Sequence, residues 1–491
     1  MQRLWQHWRQ WVLVVTLPAV LAAQPASAAV NSNGVVAAKP LALWLTSADQ
    51  QRLLHTESAT VLQAYQADAP QIQLDSSERY QQMDGFGYTL TGGSAIHLMQ
   101  MSKAARASLL RELFSTDQAA LAAGSIGVSY LRVSLGASDL DPDPFSYADL
   151  PAGQTDVSLQ SFSLKRDEAY LIPLLKEILQ LQPGLKILAS PWSPPAWMKT
   201  NQSTVGGELL EQYYPVYANY FVKYIQGMQQ HGIRIDAVTV QNEPLNDRNN
   251  PSLLMHAWDQ AAFVKQHLGP AFKAAGIQSK IIIYDHNPDH VEYPLAVLND
   301  AAAKAFIDGT AFHLYNGSIN ELARLKAAHP DKHIYFTEQW VGAKSDFGGT
   351  LLWHVEQLLI GASRNFARNV LEWNLAADAQ NQPYTKGGCY QCLGALTITG
   401  DQVQRNVAYY VIAHAGKAVP VGSYRIAASQ PAPLQTVAFL RPDGQRAVLV
   451  LNQTSSSQSF NLAPTAGQQA AATFSYRIPA QSVLTLLLAA D

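Results

Sequence analysis

The spacing of apolar residues along the chain changes twice. Between residues 41 and about 80, short apolar runs such as Leu41-Ala42-Leu43-Trp44-Leu45 and Ile72-Gln73-Leu74 stand between polar stretches, which predicts strands. From about 84 to 418, short apolar runs alternate with longer amphipathic stretches. The runs are Gly85-Phe86-Gly87, Tyr130-Leu131-Arg132-Val133, Leu185-Lys186-Ile187-Leu188-Ala189, Ala237-Val238-Thr239-Val240, Ile281-Ile282-Ile283-Tyr284, Ala311-Phe312-His313, Ile334-Tyr335-Phe336 and Val370-Leu371-Glu372-Trp373. Between them, Leu171 to Leu181 and Tyr217 to Met228 repeat apolar residues every three or four positions, the period of a helix with one buried face. Beyond about 421 the helical period stops. Gln435 to Leu440, the turn Pro442-Asp443-Gly444, Ala447 to Leu451 and Ser482 to Leu487 predict antiparallel strands.

Strands that alternate with helices must be joined by crossovers, so eight of them predict a parallel (β/α)8 barrel. An open doubly wound sheet fits less well, because no glycine-rich phosphate loop follows the first run. The flanking runs predict an accessory β-sandwich built from C-terminal and N-terminal strands. The expected plan is N-terminal sandwich strands at 41–83, the barrel at 84–418 and the C-terminal sandwich at 419–491.

Before residue 41 the chain reads as an export signal at 1–28. Arg3 and Arg9 precede the uncharged run Trp11 to Ala23, and Ala26-Ser27-Ala28 is a small-residue cleavage pattern. That run is shorter than the roughly 20 residues a spanning helix needs, so the expected destination is secreted or periplasmic without stable membrane insertion. The two cysteines, Cys389 and Cys392, lie three residues apart. In an exported chain a short disulfide loop is the first reading, with a redox-active or metal-binding pair as the alternative. Net charge is −3 with 34 basic and 37 acidic side chains, which provides no footprint for nucleic acid. Oligomeric state is not legible.

Barrel enzymes carry their chemistry at the C-terminal ends of the strands. The fourth run leads into Gln241-Asn242-Glu243-Pro244 and the seventh into Thr337-Glu338-Gln339-Trp340. Two carboxyls facing one cleft suit glycoside hydrolysis, where one protonates the leaving oxygen and the other attacks or stabilises the anomeric carbon. Arg132, ending strand two, is expected to hold a neighbouring carboxylate ionised. His313 and Tyr315 end strand six, with Tyr315 able to hydrogen-bond the nucleophile. Trp192 and Trp197 lie in a proline-stiffened loop, Ser190-Pro191-Trp192-Ser193-Pro194-Pro195-Ala196-Trp197, that suits an aromatic wall for a sugar, although Trp197 serves equally well as packing. Trp373 ends strand eight as a candidate floor.

These motifs resemble glycoside hydrolase family 30, the family of lysosomal glucosylceramidase and microbial endo-β-1,6-glucanases. The resemblance runs from Asp84-Gly85-Phe86-Gly87 through Leu131-Arg132-Val133, Ser138-Asp139, the Trp192 loop, Asn242-Glu243-Pro244, Thr337-Glu338 and Trp373-Asn374-Leu375 to Leu451-Asn452 and Ile478-Pro479. It implies a retaining mechanism on a β-glucoside, with Glu243 as acid/base, Glu338 as nucleophile and Asn242 on the 2-hydroxyl. Asp139, Trp192 and Trp373 match positions that hold the terminal glucose, and no metal or organic cofactor is implied. Gln241 to Asn246, with Pro251-Ser252 after it, is closer to the microbial glucanase branch. Ala413 to Pro420 departs from the pattern, with small residues where the family usually carries aromatics, which is expected to weaken the barrel–sandwich contact. A xylosidase or fucosidase of the same mechanism and a non-catalytic carbohydrate-binding barrel are the competing readings. The presence of both Glu243 and Glu338 argues against the latter.

Overall fold

In the computed structural model, which describes residues 40–463 and 474–490, the eight central runs close into one parallel barrel. The export-signal reading falls outside the described residues. In chain order the barrel strands are Gly85–Leu90, Tyr130–Ser134, Lys186–Ser190, Ala237–Thr239, Lys280–His286, Ile307–His313, His333–Glu338 and Ala367–Asn374, and the eighth pairs with the first. Helices cover the outside. Leu171–Leu181 and Tyr214–Gln230 bury the stripes that their periodicity marked.

The barrel interior is filled rather than open. Tyr130, Leu188, Ala237, Ile282, Ala311, Tyr335 and Leu371, one from each of strands two to eight, form a separate buried cluster. The first strand contributes Gly87 instead, whose missing Cβ would stand 1.9 Å from the Tyr130 carbonyl oxygen, so only glycine lets these two strands approach.

The accessory domain is a nine-stranded sheet among the described residues. The C-terminal strands Tyr424–Ala428, Gln435–Leu440, Arg446–Asn452, Gln458–Ala463, Phe474–Ile478 and Ser482–Leu488 are joined by N-terminal strands Ala42–Ser47, His55–Thr56 and Gln71–Gln82. Strand Arg446–Asn452 explains its own unbroken apolar run. Val448 and Val450 face the sandwich core with Leu43, Ile72 and Phe460. Ala447, Leu449 and Leu451 belong to the barrel's core instead. A strand buried on both faces has no solvent side, so no polar alternation.

The small residues of Ala413 to Pro420 make that contact rather than weaken it. Helix Val407–Gly416 is buried on every side between barrel and sheet. Its His414 sits between two sandwich strands, with Nδ1 2.9 Å from Thr485 Oγ1 and Nε2 2.8 Å from Thr46 Oγ1. The Thr485 hydroxyl donates to the His414 carbonyl, so Nδ1–H donates to Thr485 and Nε2 accepts from Thr46. Burial holds this imidazole down at about 3, so it is neutral in the folded protein. The unfolded chain takes up a proton below its ordinary value near 6.5, so this group lowers stability progressively as pH falls from there toward 3. His414→Leu leaves the Thr46 hydroxyl hydrogen without its acceptor and the Thr485 oxygen without its donor, and should cost about 1–3 kcal/mol at pH 7. The gap to wild type should narrow at pH 4.5, as denaturant titration at both pH values can check.

Candidate active site

Side chains two residues further along a strand lie on the same face, one layer up. Above the apolar plug this rule stacks a polar layer. Tyr130 is followed inward by Arg132, Leu188 by Ser190, Ala237 by Thr239, Ala311 by His313, Tyr335 by Thr337 and Leu371 by Trp373. All six are buried. The fifth strand breaks the rule. After Ile282 the inward position should fall to Tyr284, but Tyr284 (φ 72°) and Asp285 (φ 64°) both have left-handed backbone, and the pairing register with strand six shifts here. The extra residue turns Asp285 inward and sends Tyr284 out against Tyr293 and Phe312. Two non-glycine residues at positive φ cost energy, and the surrounding contacts hold them there.

Asp285 is the hub of the layer. Its Oδ2 accepts from Arg132 Nη2 (2.8 Å), Thr239 Oγ1 (2.8 Å) and Ser190 Oγ (3.2 Å). Its Oδ1 accepts from Thr337 Oγ1 (2.6 Å) and His313 Nε2 (3.1 Å). Burial would raise this carboxyl, but the Arg132 charge and the His313 and Thr337 hydrogen bonds hold it far below the usual carboxylate range. Asp285 was not singled out from sequence, nor was its neighbour His286. The His286 ring lies 6.4 Å from the His313 ring, has a buried Nδ1 without a partner among the described residues, and is lowered from the usual imidazole range chiefly by burial.

The two glutamates meet above this layer. Glu338 extends past the inward Thr337, where the register with strand six slips again. Its carboxylate accepts from Arg132 Nη1 and, on the other oxygen, from the Tyr315 hydroxyl at 2.8 Å. Glu243 leaves the fourth strand in left-handed backbone (φ 43°), pinned by its N–H to the Asp285 carbonyl at 2.9 Å. Its two oxygens take His313 Nδ1 at 3.0 Å and Asn246 Nδ2 at 2.7 Å. One carboxylate oxygen of each glutamate and a ring nitrogen of His313 all lie within 4.8 Å of one another. Asn242 faces Arg132, accepting at 2.6 Å from Nη2.

His313 has a carboxylate on each ring nitrogen, so both nitrogens donate and the ring is cationic. Burial opposes this charge, but Glu338, Asp285 and Glu243 raise the imidazole to about 10. The cluster sets Arg132 and His313 against three carboxyls, and one further proton neutralises it. Burial raises Glu338, with Glu243 adding to the rise and the His313 and Arg132 charges opposing it. Burial likewise raises Glu243, but the His313 hydrogen bond, the His286 and His313 charges and Asn246 bring it down to about 2. The two titrate as a pair.

The remaining candidates are Asp139, Trp192, Trp373 and Trp197. Asp139 is buried and pushed up to about 7 by burial and then by the Glu338 charge. Trp192 stacks on Trp373 (centroids 5.4 Å, planes 30° apart), and the Arg132 guanidinium lies 4.7 Å over its ring. At 1% exposure Trp192 is a backing for Trp373 and Arg132 rather than the open wall its loop suggested. Its ring is covered by the stacked Trp373 and by the Arg132 guanidinium. Trp197 is packing, with Nε1 donating to the Ala148 carbonyl at 2.8 Å and its ring edge-on to Tyr213. Cys389 and Cys392 are disulfide-bonded.

A filled parallel barrel with two glutamates converging from strands four and seven defines a glycoside hydrolase of the barrel class. The chain belongs to glycosyl hydrolase family 30: the family's TIM-barrel domain matches residues 83–419 and its β-sandwich domain residues 422–486. An endo-1,6-β-D-glucanase of Trichoderma harzianum is 32% identical over 440 residues, 85% of this chain and 86% of that protein. The lysosomal acid glucosylceramidase of Mus musculus is 29% identical over 415 residues, 78% of this chain and 77% of that one. A solved endo-β1,6-glucanase superposes with a TM-score of 0.83 at 34% identity, covering 92% of this chain and all of that one.

Proposed function

We propose that this protein is an exported, retaining β-glucosyl hydrolase in which Glu338 is the nucleophile and Glu243 the acid/base. The observation that carries the proposal is the approach of the two carboxylates within 4.8 Å. Retaining pairs stand about 5–5.5 Å apart, whereas inverting pairs leave about 6.5–9.5 Å for a water. The Glu338 carboxylate attacks the anomeric carbon as the bond to the leaving oxygen breaks and Glu243 protonates that oxygen. Glu243 then takes a proton from water, which displaces Glu338.

The partners of the two glutamates support this division. Glu338 is held by a guanidinium and a phenol, which orient a carboxylate but do not exchange protons with it near neutral pH. Glu243 is held by an imidazolium, which can return the proton that the acid gives away. Charge balance before substrate binds favours a proton on Glu338 over Glu243, so the acid form of Glu243 arises by transfer of that one proton within the pair.

Export rests on the N-terminal pattern and on a disulfide that suits an oxidising compartment. Among leaving groups, a β-1,6-linked glucan is favoured by the higher identity to endo-1,6-β-glucanases than to the glucosylceramidase. The test is an NMR time course on an aryl β-glucoside, with β-1,6-glucan and glucosylceramide assayed in parallel. β-Glucose should appear first, with mutarotation following. First appearance of the α-anomer would sink the retaining reading, and hydrolysis of glucosylceramide but not of β-1,6-glucan would replace the glucan.

A further inference from the structure

The Cys389–Cys392 loop makes three contacts with the sugar-facing side of the cleft. Its Cys389 N–H donates to Asp139 Oδ2 at 3.2 Å, and just ahead of it the Thr385 N–H donates to the Asp139 carbonyl at 2.9 Å. Cys392 is buried in one apolar cluster with Leu140, Trp192 and Trp373. Cys392 and Leu393 pair with Val341 and Gly342, the segment that follows Glu338, and Gln391 accepts from the Ala343 N–H at 2.9 Å. The loop therefore ties together the strand-two loop that carries Asp139, the Trp192–Trp373 stack and the segment that follows Glu338 at the end of strand seven. Gly388 shows how close the fit is, since a Cβ there would stand 2.5 Å from the Asp139 carbonyl oxygen and 3.0 Å from Asp139 Cβ.

Asp139 has little else to hold it. Among the described residues its carboxylate accepts one hydrogen bond from another residue, the Cys389 N–H, while the Glu338 charge repels it. A four-residue loop without its cross-link samples many backbone conformations, and few of them aim the Cys389 N–H at Asp139.

We infer that the Cys389–Cys392 disulfide is a positioning device for substrate binding: it fixes the Cys389 N–H that aims Asp139 at the sugar, so affinity for the sugar depends on the redox state of this pair. The inference rests on the proposed reading of Asp139 as a sugar contact. Asp139 acts on a ring hydroxyl away from the bond being broken. Loss of its aim weakens ground state and transition state alike, which raises KM more than it lowers kcat.

The experiment uses the full chain and an aryl β-glucoside. Cys389→Ser/Cys392→Ser should raise KM about 10-fold while kcat changes less than about 3-fold, the size expected for misaiming one hydrogen bond to a charged group. Wild type treated with a dithiol, which passes two electrons and two protons to the sulfur pair and yields two thiols, should show the same rise and recover on reoxidation. Gly388→Ala keeps the disulfide but pushes the loop off Asp139, and should also raise KM, so the idea stays testable if the cysteine variant does not fold. Asp139→Asn should raise KM by itself, and combining it with the cysteine changes should add less than the two separate effects multiplied. A disulfide that only stabilises the fold would lower the melting temperature when broken, leave KM at 25 °C unchanged in both the cysteine variant and the dithiol-treated wild type, and multiply fully with Asp139→Asn. That result overturns the inference. Wild type inactive on every β-glucoside would instead overturn the underlying functional reading.

Discussion

Glu338→Gln should remove activity on every β-glucoside by about 10⁴-fold or more, because no glycosyl-enzyme can form without the nucleophile. Glu243→Gln should differ in kind. It removes the proton donor, so alkyl and sugar leaving groups should lose about 10²–10⁴-fold. A dinitrophenyl leaving group needs little protonation and should still transfer glucose to Glu338. The intermediate then accumulates, since nothing activates water. Azide needs no base, so it should restore turnover of Glu243→Gln and yield β-glucosyl azide. The structural motive is the difference in partners: Arg132 and Tyr315 on Glu338, His313 and Asn246 on Glu243. Azide rescue of Glu338→Gln with an α-glucosyl product, Glu243→Gln staying inactive, would exchange the two roles.

Arg132→Met should be nearly as damaging, and its signature is in the pH profile. The Arg132 side chain is wholly buried and touches Glu338, Asp285 and Asn242 together. Without it, two buried carboxylates lose their cation, which costs about 3–5 kcal/mol of stability. The sign for activity follows from Glu338. Its carboxyl is raised by burial, and the Arg132 charge opposes that rise together with the His313 charge and the Tyr315 hydrogen bond. Removing the charge raises it further, so the ionised nucleophile survives only at higher pH. The acid limb of kcat/KM should move up by about one to three pH units, and residual activity should increase from pH 6 to 8. An unmoved acid limb, with activity lowered evenly across pH, would show that Arg132 does not control ionisation of the nucleophile.

Period and chain order made much of this protein legible in advance. The eight runs mark the eight barrel strands because a parallel strand buried on both faces must be apolar, and each helix must bury a stripe. Glu243 and Glu338 could be found because barrel chemistry collects at strand ends. Arg132 was expected to keep a neighbouring carboxylate ionised and Tyr315 to hydrogen-bond the nucleophile, and both side chains reach Glu338. The cysteine pair was readable because a spacing of three residues allows a short loop to close.

What the sequence determined by itself, then, was the number and order of elements and the identity of the two facing carboxyls, since both follow from local period and position. Tertiary structure alone decided which neighbours they have. Strict alternation puts Tyr284 inside the barrel, and only the two left-handed residues at 284 and 285 reverse that parity and make Asp285 the hub between Arg132 and His313. The Trp192 loop reads as an open wall, but its ring is closed over by Trp373 and Arg132 once strands two, three and eight come together. The small residues at 413–420 look like a lost contact until the sheet beside them supplies Thr46 and Thr485, which lie 368 positions before His414 and 71 after it. Each of these depends on groups far apart along the chain meeting at a few ångströms, and neither periodicity nor local propensity carries that information.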